Sequence, residues 1–390
     1  MITRLKVRNF KSLRNLDLAL GPVNVLVGRN MAGKSNIVDA LLFIQHFLFP
    51  SPGTEGLTYA LAERGGVSEV LWKGGNERLL SFQVETLSSD GKESFVYELE
   101  IILGVGQYAN IQREALKWRK DGKETDLIVQ DSGGPWLVDG RGGKTGGGTG
   151  GTRSILQHAM PSSEGYSFLI SVGSWRFHHF IPALMKRENN TGQGQVLSRY
   201  GDNLSAWLMW LQTRSPEVFD RINEVARDVF PGIRSLLTWP SQQGTVHLAS
   251  QEEYLKQPIN VWQMSDGEIV FIALLSLVYT PQDLGPSLLC LEEPENHLHP
   301  DLISTLVRIT RQVREEIEEA GSPLAQVIVT TQSPYFVDAA KLEEVIWVER
   351  KDGETRTVRP DAHAHLRKLI ADKELGLGDI VYSGLLQDSK

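Results

Sequence analysis

The sequence predicts an α/β fold assembled around a phosphate-binding loop, and three observations carry that prediction. The first is Gly28-Arg29-Asn30-Met31-Ala32-Gly33-Lys34-Ser35, a full G-x4-G-K-S loop between an apolar run, Val23 to Val27, and a helical pattern, Asn36 to Phe49. The second is Leu288-Leu289-Cys290-Leu291, an apolar strand that ends in two acids, Glu292 and Glu293. The third is the alternation of strand and helix patterns from residue 258 onward, the rhythm of a sheet covered by helices.

In chain order, residues 2–20 alternate apolar and polar side chains (Ile2, Leu5, Val7, then Leu16, Leu18, Leu20) around Asn9-Phe10-Lys11-Ser12, which predicts two strands joined by a turn. The phosphate-loop strand follows, then a helix apolar on most sides (Ile37, Leu41, Ile44, Leu48) and therefore expected in the core. Between 79 and 130 the apolar period becomes two: Leu80, Phe82 and Val84, then Phe95, Tyr97, Leu99, Ile101 and Leu103. Asp90-Gly91 and Asp121-Gly122 sit at the joints and tolerate the positive φ of tight hairpin turns, so an antiparallel meander is expected. The glycine-rich run from Gly133 to Gly151 loosely resembles a second phosphate loop. It lacks the flanking strand and helix and reads as a flexible loop.

Residues 154–230 read as largely helical, with Trp207, Trp210 and Leu211, then Phe219, Ile222, Val225 and Val229, at helical spacing. Trp175-Arg176-Phe177-His178-His179 mixes aromatics with charge and could stack on bases, although core packing is the simpler reading. Further on, Ile269 to Tyr279 reads as an all-round apolar helix and Leu288 to Leu291 as a buried strand. Leu302 to Ile317 reads as an amphipathic helix opened by Pro300 and stopped by Gly321 and Pro323, and Val327 to Thr330 as another buried strand. Val345 to Val358 reads as a hairpin through Asp352-Gly353, and a final helical segment leads to Gly376-Leu377-Gly378. No coiled-coil heptad run and no internal repeat is visible.

Composition narrows the class. The 390 residues are 41% hydrophobic and 23% charged, as expected of a folded soluble chain. A net charge of −8 gives no bulk attraction for nucleic acid. Residues 1–34 are nevertheless basic: Arg4, Lys6, Arg8, Lys11, Arg14, Arg29 and Lys34 stand against Asp17 alone. The single cysteine, Cys290, excludes an intrachain disulfide and any cysteine-only metal site, and reads as a small buried hydrophobe. No segment reads as a signal peptide, and no apolar run reaches the roughly 18 residues that a membrane span needs. A cytoplasmic location without a membrane role is the expectation.

Each motif has a chemical reading. Gly28 and Gly33 let the backbone wrap a polyphosphate, and the new helix adds its positive end at the same spot. Lys34 brings a compact charge to the β- and γ-phosphates, and Ser35 offers a hydroxyl to Mg²⁺. The acidic strand end fits a Walker B element. Adjacent residues of a strand point to opposite sides, so Glu292 is assigned to the Mg²⁺ shell and Glu293 to orienting or deprotonating the attacking water. Gln263-Met264-Ser265-Asp266-Gly267-Glu268 precedes the apolar helix. Ser265 and Gly267 at a helix start present backbone N–H groups and one hydroxyl to an anion, with an ordinary N-cap as the plainer alternative.

Four stretches together carry a family resemblance: Asn-Phe-Lys-Ser at 9–12, Gly-x-Asn-x-x-Gly-Lys-Ser-Asn at 28–36, Met-Ser-Asp-Gly-Glu at 264–268, and Glu-Glu-Pro-Glu-Asn-His-Leu-His-Pro at 292–300. In that order the chain resembles, over nearly its whole length, the ABC-type ATPases of the RecF, SMC and overcoming-lysogenisation-defect (OLD) group. The resemblance implies a P-loop NTPase, an ABC ATPase head with an antiparallel β lobe and a helical lobe or insertion. The implied layout is lobe I over residues 1–153, a mostly helical insertion over 154–257, and a C-terminal core over 258–390. It also implies ATP and Mg²⁺ as ligands, and a head-to-head homodimer with ATP between one subunit's phosphate loop and the other's Ser265 turn. By the same resemblance Asn30 and Asn36 join the nucleotide site, Lys11 reaches towards phosphate, and Asn296 to His299 form the D-loop at the dimer seam. A metal pair at His297 and His299 is the weaker reading of that loop.

Two departures shape the expected activity. Where the family commonly has Thr-His-Ser-Pro, this chain has Thr331-Gln332-Ser333-Pro334. Gln332 can donate a hydrogen bond to the γ-phosphate but cannot become charged, which predicts slow turnover. Glu292 stands where Asp is usual. OLD nucleases carry a TOPRIM domain that needs an Asp-x-Asp metal cluster; the sequence contains no Asp-x-Asp, and few residues follow Gln332. The expectation is a stand-alone ATPase switch in DNA maintenance or phage defence that works with a separately encoded nuclease- or TOPRIM-like effector. Any DNA contact should be weak and salt-sensitive, through Arg4, Arg8, Arg14, Arg176, Lys186 and Arg187. A transporter-type ATPase subunit and a slow ATP-dependent scaffold are the alternatives.

Overall fold

In the computed structural model, three sheets organise residues 1–360. The described residues exclude 89, 105, 107, 132–133, 139–143, 147–150, 160, 162, 282 and 361–390, and 131, 134–138 and 144–146 are described by main chain alone. β1 (Ile2–Phe10) and β2 (Leu13–Ala19) form a hairpin, β3 (Val23–Val27) enters the phosphate loop, and α1 (Lys34–Leu48) leaves it. Two short helices follow, α2 (Gly56–Ala62) and α3 (Val67–Val70). The meander comprises β4 (Leu79–Leu87), β5 (Glu93–Leu103), β6 (Ala109–Lys120), β7 (Lys123–Asp131), β8 (Gly134–Val138) and β9 (Lys144–Gly146).

The next stretch holds α4 (Glu164–Gly173), β10 (Arg176–His178), α5 (Pro182–Met185), β11 (Asn189–Asn190), α6 (Leu204–Arg214), α7 (Pro216–Val229), β12 (Ile233–Pro240), β13 (Thr245–Glu252) and β14 (Ile259–Asn260). The last comprises α8 (Asp266–Val278), β15 (Leu288–Glu292), α9 (Pro300–Glu319), β16 (Gln326–Thr331), α10 (Pro334–Asp338), β17 (Val345–Lys351) and β18 (Glu354–Val358).

The first sheet is antiparallel, in the order β2-β1-β4-β5-β6-β7-β8-β9. Its period-two residues, Leu80, Phe82 and Val84 on β4 and Tyr97, Leu99 and Ile101 on β5, turn inward and are buried. Phe43 of α1 stacks on Phe82 with ring centroids 4.9 Å apart, and Phe10 meets both rings edge-on, which seats α1 on this sheet. The second sheet runs β10-β15-β16-β3-β17-β18, parallel except for β18. Registers His178↔Leu291, Glu292↔Thr330 and Thr331↔Val27 bring the carboxyl ends of β10, β15, β16 and β3 into one row. That row is where ligands bind in open α/β sheets. Cys290 is buried in this sheet, and burial pushes its thiol pKa up.

The two sheets are tied together by Gln326, the first residue of β16. Its amide nitrogen donates to the carbonyls of Ile2 (2.7 Å) and Gly21 (2.8 Å), and its oxygen accepts from the N–H of Ile2 (2.8 Å). A second core joins α6 and α7 to α8 and α9, with Trp207 donating to Ser276 at 2.9 Å.

The structure differs from the sequence expectation in two places, and a third expectation is untested. Within the glycine-rich run expected as a flexible loop, β8 and β9 continue the meander beyond β7. The reason is physical: the β7 edge offers unpaired main-chain groups, and a Pro-Trp-Leu-Val segment lies next to it. In the insertion read as mostly helical over 154–257, β10 is a strand of the parallel sheet, and β12 and β13 form a hairpin with β11 added to β13; β14, just beyond it, pairs with β13 as well. β10, β11 and β14 are two or three residues long, too short to show a pattern, so their partner strands decide them. The helix expected near Gly376-Leu377-Gly378 lies outside the described residues. Among the described residues no helix is long and apolar enough to cross a membrane.

Candidate nucleotide site

Two glycines of the phosphate loop are sterically required. A Cβ on Gly28 would lie 2.0 Å from the carbonyl oxygen of Val348 on β17. One on Gly33, whose φ is +105°, would lie 1.9 Å from Oγ1 of Thr355 on β18. The loop is braced by a relay of donors: Asn36 Nδ2 to Ser12 Oγ (2.6 Å), Ser12 Oγ with Thr355 Oγ1 (2.6 Å), and Thr355 Oγ1 to the carbonyl of Ala32 (2.9 Å). Asn36 thus acts on the loop through Ser12. Thr355 has no local signal in the sequence, because its contact spans the length of the fold.

Lys34 is buried, and its Nζ donates to the carbonyls of Gly28 (2.8 Å) and Arg29 (3.3 Å). Burial lowers its pKa, opposed by the carboxylates of Glu293 and Glu295. Asn30 and Ser35 are exposed at the loop. Lys11 pairs with Asp39 at 2.7 Å, and Asp39 also holds Arg64 at 2.6 Å. Burial raises the Asp39 pKa, but the two cations outweigh it and leave the carboxyl below the usual range. Lys11, Ser12 and Asn36 line one side of a cavity of about 430 Å³ that Trp72 and Arg350 also border.

At the acidic strand end the two glutamates part. Glu292, opposite Thr330, pairs with Arg199 at 3.0 Å. Glu293 leaves the strand with φ 46°, its N–H donating to the Thr330 carbonyl at 2.9 Å. Its carboxylate accepts from Gln332 Nε2 (2.9 Å) and Asn296 Nδ2 (3.2 Å). Glu295 accepts from Thr331 Oγ1 (2.6 Å) and from the Gln332 N–H (2.9 Å), while its Oε2 is buried without a hydrogen-bond partner. Glu295 and Arg199 were not singled out from the sequence. Glu295 lies inside the Glu-Pro-Glu-Asn stretch, whereas nothing near Arg199 marks it.

Ser265 and Gly267 lie elsewhere. Ser265 caps α8 in a reciprocal box: its Oγ accepts from the Glu268 N–H at 3.2 Å, and its N–H donates to the Glu268 carboxylate at 2.7 Å. Asp266 pairs with Lys186 at 2.6 Å and lies 3.6 Å from His297. A Cβ on Gly267 would sit 2.8 Å from the His297 carbonyl oxygen, so the turn abuts the 296–299 loop of its own chain. Among the described residues no hydrogen bond or ion pair joins Ser265–Gly267 to the phosphate loop.

His299 instead caps α9, accepting from the Asp301 N–H, so the two histidines serve separate contacts. Among the described residues no group of three or more His, Cys, Asp or Glu side chains could hold a metal by itself. Mg²⁺ bound with a nucleotide needs no such cage, since it takes one or two protein oxygens and completes its shell with phosphate and water. Ser35 and Glu292 fit that donor set, and the glycine cradle with its buried lysine fits the polyphosphate.

The basic residues considered for DNA are mostly engaged. Arg4 pairs with Asp17, Arg8 with Glu77, Arg14 with Glu354 and Lys186 with Asp266. Arg176 donates to the carbonyls of Gly173 and Trp175. Trp175, Phe177 and His178 are buried, so that cluster packs in the core and offers no face to bases.

Comparison with known proteins agrees with this architecture. Residues 1–100 match the family described as "AAA ATPase domain", and residues 202–338 match the one described as "AAA domain, putative AbiEii toxin, Type IV TA system". An OLD nuclease of Thermus scotoductus is 43% identical over 51 residues, 13% of this chain and 10% of that protein. The DNA replication and repair protein RecF of Citrobacter koseri is 44% identical over 46 residues, 12% of this chain and 13% of that protein. The chain therefore aligns with about a tenth of the length of these curated relatives.

Among solved structures, an Smc head bound to the C-terminal winged-helix domain of ScpA superposes with a TM-score of 0.58 at 15% identity, covering 92% of this chain and 97% of that one. An Smc head with an extended coiled coil, derived from Pyrococcus furiosus, gives 0.52 at 13% identity, covering 96% and 99%. The chain thus carries matches to AAA-family ATPase domains over residues 1–100 and 202–338 on a fold like that of an SMC head, which is consistent with the RecF, SMC and OLD group.

Proposed function

We propose that this chain binds ATP with Mg²⁺, hydrolyses it slowly, and uses it to join two heads in DNA maintenance or phage defence beside a separate effector. The observation that carries the reading is the convergence of Lys34, Glu293, Glu295 and Gln332 at the carboxyl edge of the parallel sheet. Lys34 exchanges its bonds to the Gly28 and Arg29 carbonyls for phosphate oxygens. Glu293, steadied by Gln332 and Asn296, accepts a proton from the attacking water. Ser35 and Glu292 would hold Mg²⁺, which would supply positive charge against the phosphate oxygens.

The Ser265 turn lies apart from the phosphate loop of its own chain. A two-fold arrangement of heads brings it to the partner's γ-phosphate and makes association depend on ATP. Glu268 already uses one amide of that turn, so Ser265 Oγ and the Gly267 N–H remain the natural donors. The similarity to SMC heads and to segments of RecF and an OLD nuclease supports the DNA-linked setting and an accessory or nuclease-like partner. The amide of Gln332, which stays neutral, favours a second reading in which the chain is chiefly an ATP-dependent scaffold.

Lys34→Ala should lose ATP binding, whereas Glu293→Gln should bind ATP and hydrolyse it at least ~100-fold more slowly. With ATP and Mg²⁺, Glu293→Gln should run as a dimer in light scattering, and adding Ser265→Arg should dissociate it while sparing ATP binding. Normal turnover in Glu293→Gln would refute the assignment of the base. Undiminished dimerisation of the double variant would refute the role of the Ser265 turn. Turnover too slow to detect in the wild type, with ATP-dependent dimers intact, would select the scaffold.

A further inference from the structure

The ion pair between Arg199 and Glu292 has no counterpart in the motif reading. The main chain around Arg199 is fixed beside the end of β10: its carbonyl accepts from the His179 N–H at 2.8 Å, and the Tyr200 carbonyl accepts from the Ile181 N–H at 3.2 Å. His178 Nδ1 lies 3.1 Å from the Ser198 carbonyl oxygen. Since β10 pairs with β15 through His178↔Leu291, this anchored segment stands one strand away from Glu292.

From there the guanidinium meets Glu292 Oε1 through Nη2 alone, at 3.0 Å. A guanidinium settled on a carboxylate commonly uses two parallel N–H bonds. Here Arg199 Nε is buried with no hydrogen-bond partner, an arrangement that costs free energy. The side chain of Glu292 is only 9% exposed, so its charge needs a cation in the absence of metal. The contact neutralises the carboxylate but leaves the guanidinium half-satisfied, as expected of a partner that can be exchanged.

We propose that Arg199 is a resident counter-ion of Glu292 which Mg²⁺ displaces as ATP loads. The displaced guanidinium, held by its main chain at the carboxyl edge of the sheet, is then free to face the incoming phosphates. This inference rests on the ATP-binding reading above. Arg199 acts through Glu292, as a competitor that sets the affinity for the metal.

The test is metal affinity, with no turnover involved. Mn²⁺, visible by electron paramagnetic resonance, is titrated into wild type, Arg199→Ala and Arg199→Gln, each saturated with the non-hydrolysable analogue AMP-PNP. Removing the competing cation should tighten Mn²⁺ binding about five- to tenfold in both variants. On a Glu292→Gln background the Arg199 substitutions should make no difference. Should Arg199→Ala fail to fold, Arg199→Gln, which keeps one donor near the carboxylate, carries the same comparison. Equal or weaker Mn²⁺ binding in the variants would overturn the proposal and leave nucleotide binding standing. Failure of the wild-type chain to bind AMP-PNP in calorimetry would overturn the nucleotide reading, and this inference with it.

Discussion

Gln332 connects the two acids that flank it, donating its side-chain amide to Glu293 and its main-chain N–H to Glu295. The amide therefore orients the carboxylate to which the attacking water is assigned, beside the γ-phosphate contact proposed for it. Gln332→Ala should reduce phosphate release about tenfold or more, as expected for loss of an orienting hydrogen bond at a reacting centre. Gln332→His should keep or raise the rate, because imidazole can donate in the same place and can also carry charge. An unchanged rate in Gln332→Ala, measured under single-turnover conditions, would deny it any role. The places of Lys34, Glu293 and Gln332 at a loop or a strand end were legible from the sequence, because each directly follows a recognisable strand or loop; the roles proposed for them are a separate matter of chemistry. Glu295 lies in a recognisable stretch, yet its hold on Thr331 depends on a strand that begins many residues later.

At the level of elements, β16 does more than fill the centre of the parallel sheet. Its first residue, Gln326, satisfies Ile2 on both sides and the Gly21 carbonyl, so one buried amide aligns the antiparallel and parallel sheets. Gln326→Leu would leave one N–H and two carbonyls buried without those partners, at about 1–3 kcal/mol for each unsatisfied group that water cannot reach. Equilibrium unfolding should show a clearly lower denaturant midpoint with little change in slope. A midpoint within error of wild type would mean that water or local movement replaces the bridge.

The meander and the long helices were readable from period-two and helical patterns, since each presents one sustained face to a core. β10, β11 and β14 are two or three residues long. At that length local pattern carries no signal, and the partner strand decides.

For the whole molecule, two histidines packed into the fold set a pH response. His178 is buried, and its pKa falls from 6.5 to about 4, first through burial and then through Arg176 and Arg199, against the bond to Ser198. His46 is likewise lowered to about 4, through burial and then Arg64, partly offset by Asp39. Below about pH 6.5 the unfolded chain takes up protons that the folded histidines refuse until about pH 4. Stability should therefore fall as pH drops through that window, on the order of 3 kcal/mol for the fully buried His178. Asp39, whose pKa is depressed, keeps its contribution there and loses it only at lower pH. Urea melts between pH 7.5 and 4.5 should show the decline, and His178→Phe should make it shallower. An equally steep decline in that variant would exclude His178 as a source.

The sequence by itself determined the phosphate loop, the acidic strand end, the capped apolar helix and the class of fold. Those features rest on contiguous residues whose spacing and chemistry are local. Tertiary structure alone decided that Thr355 and Ser12 brace the loop, that Gly28 must clear Val348, and that Arg199 meets Glu292. Each of those contacts joins residues far apart in the chain through strand pairing, and strand order is not written in any single segment.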